Sequence, residues 1–129
     1  MTGVDRAALQ ALFLKYFSGK REQLREFLEN FYQDLARDVL VGFFFTGKDL
    51  RSIADKQSSF LWKAAGLAPS YTGHAPSTAH LGLARVLDGH FDRRLLILES
   101  HLRRLGLEPG EIAVWIALEN AFRGSIVGH

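Results

Sequence analysis

Five histidines are the residues of this chain best suited to hold a metal or move a proton: His74, His80, His90, His101 and His129. Their spacing contains neither an HExxH nor an HxxxH pair, which excludes the usual helical zinc signature. The chain has no cysteine, so thiolate metal sites, disulfides and cysteine nucleophiles are excluded as well. It also lacks a GxSxG, a glycine-rich phosphate loop and a nucleophile–base spacing. What remains is a histidine acting alone. His129 is terminal, His101 lies between Ser100 and Leu102 and is read as a surface residue, and His90 precedes Phe91 near a helix start. His80 differs from these in its company: Ala79, Leu81 and Leu83 surround it in a short segment that follows a loop. One neutral imidazole in apolar surroundings suits the fifth coordination position of an iron porphyrin. Its second ring nitrogen would then donate to a nearby backbone carbonyl.

A second pattern lies on the segment that follows Asp49. Ile53, Gln57, Phe60 and Ala64 share one helical face, with Lys56 at its edge. A glutamine on an apolar face needs hydrogen-bond partners if it is buried. Tyr32 adds a polar group near the inner stripe of a long helix. A tyrosine hydroxyl and a glutamine amide can both donate to a bound diatomic molecule. They can equally be an edge tyrosine and a solvated amide, and the residues alone leave both readings open. The carboxylates are scattered over polar helix faces and are read as solvated charge.

The elements that must position these groups are all helical. Ala8, Leu9, Leu12, Phe13 and Phe17 recur at helical spacing over 5–17, and Ser18-Gly19 breaks the run. A long amphipathic segment follows, with Leu24, Phe27, Leu28, Phe31, Leu35 and Val39 on one face. Gly42 and the three phenylalanines after it end this segment in a tight corner. Asp49 is placed to cap a helix that ends near Gly66. The stretch 67–76 reads as loop and 77–83 as a short helix. Asp88 is expected to cap a helix with Phe91, Leu95, Leu98 and Leu102 inward. Pro109 opens a last helix that buries Ile112, Trp115, Leu118, Phe122 and Ile126. The loop is too long, and the short helix too short, for an up-and-down bundle, so crossed-helix packing is expected.

With 129 residues, 47% of them hydrophobic, the chain can bury one core, and a single domain over 1–129 is expected. The sixteen basic and fourteen acidic residues are interleaved, which is no nucleic-acid footprint. The longest apolar run, 39–45, is far too short to cross a bilayer. With no leader pattern and no cysteine, a cytoplasmic location is expected.

Taken in order, the runs FYQDLARDVLVGFFFTGKDLRSIADKQSSF, SYTGHAPSTAHLGL and HFDRRLLIL resemble truncated haemoglobins, nearest to their first group. The resemblance covers residues 19–102 well, is weak in the first helix and only general in the last. It rests on Phe31-Tyr32, the aromatic corner ending at Phe45, Lys56-Gln57, and the Tyr71-Thr72-Gly73 loop before His80.

The resemblance implies an all-α, shortened globin fold, a two-on-two helical sandwich around haem b. It matches His80 to the proximal iron ligand and leaves His74 in the loop. Phe45 matches the phenylalanine that stacks on the porphyrin, and Lys56 the cation that meets a haem propionate. Phe60 and Leu61 match pocket-lining positions. Ile53 falls where longer globins place a distal histidine, so Tyr32 and Gln57 match the pair that hydrogen-bonds the ligand.

Two departures from the family pattern stand out. Gly19 is followed by Lys20 and Gly66 by Leu67, where the family carries glycine pairs. Arg94 lies where the family has an apolar or tryptophan side chain near the ligand. Two placements of Arg94 are open. Its stem can lie along the apolar wall with the head in water or on a carboxylate. Alternatively, the guanidinium reaches the distal side and favours anionic ligands.

The expected function is reversible binding of oxygen or a related diatomic such as nitric oxide or carbon monoxide. One alternative is a haem enzyme, a nitric oxide dioxygenase working with a reductase or a peroxidase-like activity. The other is a globin-shaped interaction domain that has lost haem, against which His80, Phe45 and the polar pair argue. No nucleic-acid or membrane partner is expected.

Overall fold

A computed structural model describes residues 4–68 and 85–128. His74, His80 and the expected 77–83 helix lie outside the described residues, as does most of the expected 67–76 loop. Among the described residues every regular element is a helix.

Helix α1 spans Arg6–Phe17, and the Asp5 carboxylate accepts from the Ala8 N–H at 2.9 Å to cap it. Its buried side chains, Leu9, Leu12, Phe13 and Phe17, follow the helical spacing of the sequence. The chain leaves α1 through Ser18 and Gly19, both with positive φ. Helix α2, Arg21–Arg37, buries Leu24, Leu28, Phe31, Tyr32 and Leu35. It stops at Asp38, earlier than the apolar pattern suggests, and Val39 is 93% exposed rather than part of the buried face. The stop has a physical cause. The Asp38 carboxylate accepts from the Leu40 and Val41 N–H groups, at 3.0 and 3.3 Å, and turns the backbone away from the helix.

A short 3₁₀ helix, Gly42–Phe45, forms the corner. Only glycine fits at position 42, because a Cβ there would sit 2.6 Å from the Ala36 carbonyl oxygen. Helix α3, Leu50–Ala64, is capped by Asp49, which accepts from the Ser52 N–H at 3.2 Å. It packs along α2, and one polar cluster ties the two together. Arg21 of α2 donates to Asp55 at 2.9 Å and to the buried Ser58 hydroxyl at 2.8 Å.

Helix α4 spans Asp88–Leu105. Asp88 is its first helical residue and not its cap; the cap position is Leu87, whose N–H donates to His90 Nδ1 at 3.0 Å. Helix α5, Pro109–Ala121, starts at the expected proline. Its pattern does not run on as one helix: the chain breaks at Phe122, and a single turn, α6, covers Arg123–Ile126, with Ile126 only half-buried.

Helices α2 and α3 form one pair, α4 and α5 the other, and α2 meets α4 across the middle. Helix α1 closes the end, where Trp115 of α5 is fully buried. Its indole packs edge-on against Phe13 at 5.0 Å between ring centroids and lies near Phe17 and Phe27. Burying each such aromatic contributes about 1.5–3 kcal/mol. No helix among the described residues is long and apolar enough to cross a membrane.

Candidate functional site

The inner stripe of α2 delivers Tyr32 to the place where α2 meets α4. Its side chain is 5% exposed, packed against Phe31 and against Phe45 of the corner, with ring centroids 5.2 and 5.8 Å away. The corner is fixed from α4. Arg93 Nε and Nη2 donate to Asp38 Oδ1 at 3.0 and 2.7 Å. That hydrogen bond is the main reason the Asp38 carboxyl lies below its ordinary pKa, aided by the Leu40 and Val41 N–H groups.

Arg94 turns the other way. The expected stripe of α4 placed Leu95 inward with Arg94 beside it. In the structure Phe91, Leu98 and Leu102 are buried, Leu95 is half-buried, and Arg94 shares the inner face. Leu95 instead lines a shallow outer groove with Leu96, Ile112 and Ile116. The Arg94 guanidinium lies over the Phe31 and Tyr32 rings, 5.1 and 5.6 Å from their centroids. Its Nη1 donates to the Tyr32 hydroxyl at 3.4 Å, and its Nη2 to the two Glu119 oxygens at 3.3 and 3.4 Å. Of the two placements left open by the sequence, the structure shows the head on a carboxylate, and the guanidinium also touches Tyr32. Burial pulls the guanidinium pKa down, but the Glu119 charge and the Tyr32 hydroxyl outweigh it and hold it above its ordinary value.

Glu119 is the residue that the sequence reading missed, having treated every carboxylate as solvated. It is 5% exposed. The signal was present in the spacing: Glu119 follows Trp115 by four residues and Ile112 by seven, so it falls on the buried stripe of α5.

The Tyr32 hydroxyl has one proton to give and two lone pairs. A guanidinium can only donate, so Arg94 occupies a lone pair and leaves the phenol proton unspent. No acceptor for it is found among the described residues. Among the described residues the buried Tyr32 hydroxyl therefore meets a donor and no acceptor.

The remaining described candidates lie on α3. On α3, Ala54, Ser58, Leu61 and Trp62 are buried, so Leu61 belongs to the packed core. The neighbouring ridge of Ile53, Gln57, Phe60 and Ala64 is only half-buried. Phe60 packs edge-on against Phe122 at 4.8 Å between centroids. Lys56 is exposed, with no ion pair among the described residues.

Two histidines are described, and both are committed elsewhere. His90 Nδ1 accepts from a backbone N–H, which puts its ring proton on Nε2, and its ring packs against Phe43 and Phe44. His101, expected at the surface, is instead packed edge-on against Phe27 and Phe31, with Nε2 2.6 Å from Asp34. Among the described residues no cluster of three metal-ligating side chains occurs.

No family model matches the chain. It is similar to a curated protein, the Group 1 truncated hemoglobin LI410 of Chlamydomonas moewusii, with 35% identity over 104 residues. That match covers 80% of this chain and 60% of the relative, so the chain spans less than two thirds of the curated relative's length. A solved structure with the same fold is the 2/2 hemoglobin from Synechococcus sp. PCC 7002, described in the cyanomet state and with covalently attached heme. It superposes with a TM-score of 0.75 at 23% identity, covering 90% of this chain and 97% of that one. The all-helical architecture is thus the shortened, two-on-two globin fold.

Proposed function

We propose that this chain, which belongs to the truncated haemoglobins and is nearest to their first group, holds haem b and reversibly binds a small diatomic ligand beside Tyr32. The observation that carries the reading is the Tyr32 hydroxyl: buried, within hydrogen-bond reach of Arg94, and with no acceptor for its own proton among the described residues. A water-exposed edge tyrosine would have its hydroxyl satisfied by solvent. This one is set against Phe45 of the corner, an aromatic face suited to a flat aromatic cofactor.

Haem would supply a ferrous iron with one open side for oxygen, carbon monoxide or nitric oxide. The protein's part is to hold it and to shape that side. His80 is the residue assigned to the iron, and the commitments of His90 and His101 support the assignment by removing both described competitors. Phe45, Ile53 and Phe60 would pack on the ring, and Leu61 would back them from the core. Lys56, exposed and unpaired among the described residues, would meet a propionate. Gln57, on the same ridge as Ile53 and Phe60, would add a second donor beside Tyr32.

Haem uptake tests the reading. The parent chain and His74→Ala should take up one equivalent and give the same Soret band, shifting when reduced under carbon monoxide. His80→Ala should lose the band or bind haem far more weakly. Full haem content and an unchanged spectrum in His80→Ala would remove the proximal assignment.

A further inference from the structure

Two adjacent arginines on α4 meet opposite fates. Arg93 is half-exposed and clamps Asp38 at the corner, whereas Arg94 carries its charge inside. Its described partners engage Nη1 and Nη2. A guanidinium has five N–H groups, so donors remain over. Where water is excluded, such a cation attracts any anion admitted beside it. It stands against that attraction with Glu119, a carboxylate on α5 that touches both the core and the guanidinium.

The two charges cancel, while the hydrogen bond from Arg94 to Tyr32 remains. The surroundings of the Tyr32 hydroxyl are thereby rich in hydrogen-bond donors yet electrically close to neutral. A lone arginine would have given the same donors together with a strong preference for anions.

We propose that Glu119 is the positioning residue of this pocket: by pairing with Arg94 it holds the guanidinium on the Tyr32 hydroxyl and withholds its charge from the ligand, so that the site favours neutral diatomics over anions. The ligand site itself rests on the haem reading above. Glu119 touches no ligand; it acts through Arg94.

The test compares ligand classes across Glu119 variants of the haem-loaded chain. Azide affinity of the ferric form should rise roughly tenfold in Glu119→Gln, about 1.4 kcal/mol. Carbon monoxide affinity of the ferrous form should change by less than about twofold, since bound carbon monoxide carries little charge. Arg94→Met combined with Glu119→Gln should return azide affinity to the parent value. A merely structural role for Glu119 would move both ligands together. Should Glu119→Gln fold poorly, Glu119→Asp, which pulls the carboxylate back, should give the same split with a smaller gain. Equal azide affinity in the parent and in whichever variant folds would overturn the proposal. A second arm does not need haem: thiocyanate added to the chain should shift the Arg94 side-chain NMR signals in the variant and leave them in place in the parent. Absence of a Soret band in every variant would refute the haem reading, and the thiocyanate arm alone would then decide the role of Glu119.

Discussion

Trp115 and Glu119 stand one turn apart on the same face of α5 and meet opposite interiors. Around Trp115 the walls are Phe13, Phe17 and Phe27, and the indole N–H has no hydrogen-bond partner among the described residues. An unmet buried donor costs about 1–3 kcal/mol, which the burial of so much aromatic surface offsets. Around Glu119 the neighbours are a guanidinium and, beyond it, a phenol. Such a pair is a poor device for stability, because replacing a buried ion pair with apolar side chains is often neutral or favourable. One turn of the helix therefore packs the core, and the next gives up apolar packing to pair a buried charge.

The largest effect should come from the dry end. Trp115→Ala should cost about 3–5 kcal/mol, read from denaturant unfolding, because the cavity is ringed by three phenylalanines that cannot all collapse into it. A loss below about 1 kcal/mol would mean that this end is not the structural core.

At the charged end the sign should depend on how many charges are removed. Glu119→Leu alone strands Arg94 and should cost about 3 kcal/mol, near the low end for a broken buried pair because Arg94 is still 18% exposed. Arg94→Leu together with Glu119→Leu should recover most of that loss. If the double variant is as unstable as the single one, the pair stabilises the fold and the contrast with Trp115 fails.

The smallest effect belongs to the outer surface, where α1 meets α5. The Tyr16 hydroxyl and the Glu108 N–H hold the Glu111 carboxyl at about 2, below its ordinary 4.5, with Lys15 adding to the shift. A lowered carboxylate pKa gives stability that is present above 4.5 and lost as pH falls towards 2. Glu111→Gln should therefore flatten the acid end of the stability profile in that window and leave the neutral end of the profile parallel to the parent. An unchanged slope would show that Glu111 is not protonated on unfolding there.

Much of this arrangement was legible in the residues. The cap at Asp49, the helix start at Pro109, the corner at Gly42 and the inner stripe of α1 follow from local chemistry that nothing distant overrides. Where the pattern misled, a side chain next door or a partner far along the chain decided the outcome. Val39 continues the apolar period of α2, but the Asp38 carboxylate takes the next two N–H groups and ends the helix first. His101 looks like a surface residue until Asp34 and two phenylalanines from α2 arrive beside it. Leu95 and Arg94 compete for one inner position, and apolarity alone favours the leucine. Arg94 takes the inner face because Glu119, 25 residues on, supplies the opposite charge. Only family resemblance joins Tyr32, Gln57 and Phe45 as a set, since nothing in their spacing alone links them.

The proposed hydrogen bond from Tyr32 to the ligand is the central claim, and ligand release rates test it most directly. Tyr32→Phe removes the hydroxyl and little else. With haem bound, oxygen should leave the variant roughly threefold to tenfold faster than the parent, the worth of one hydrogen bond to a partly charged acceptor. Carbon monoxide, less polar when bound, should leave at nearly the same rate from both. Equal changes for the two gases, or none for oxygen, would contradict the claim that Tyr32 donates to the ligand.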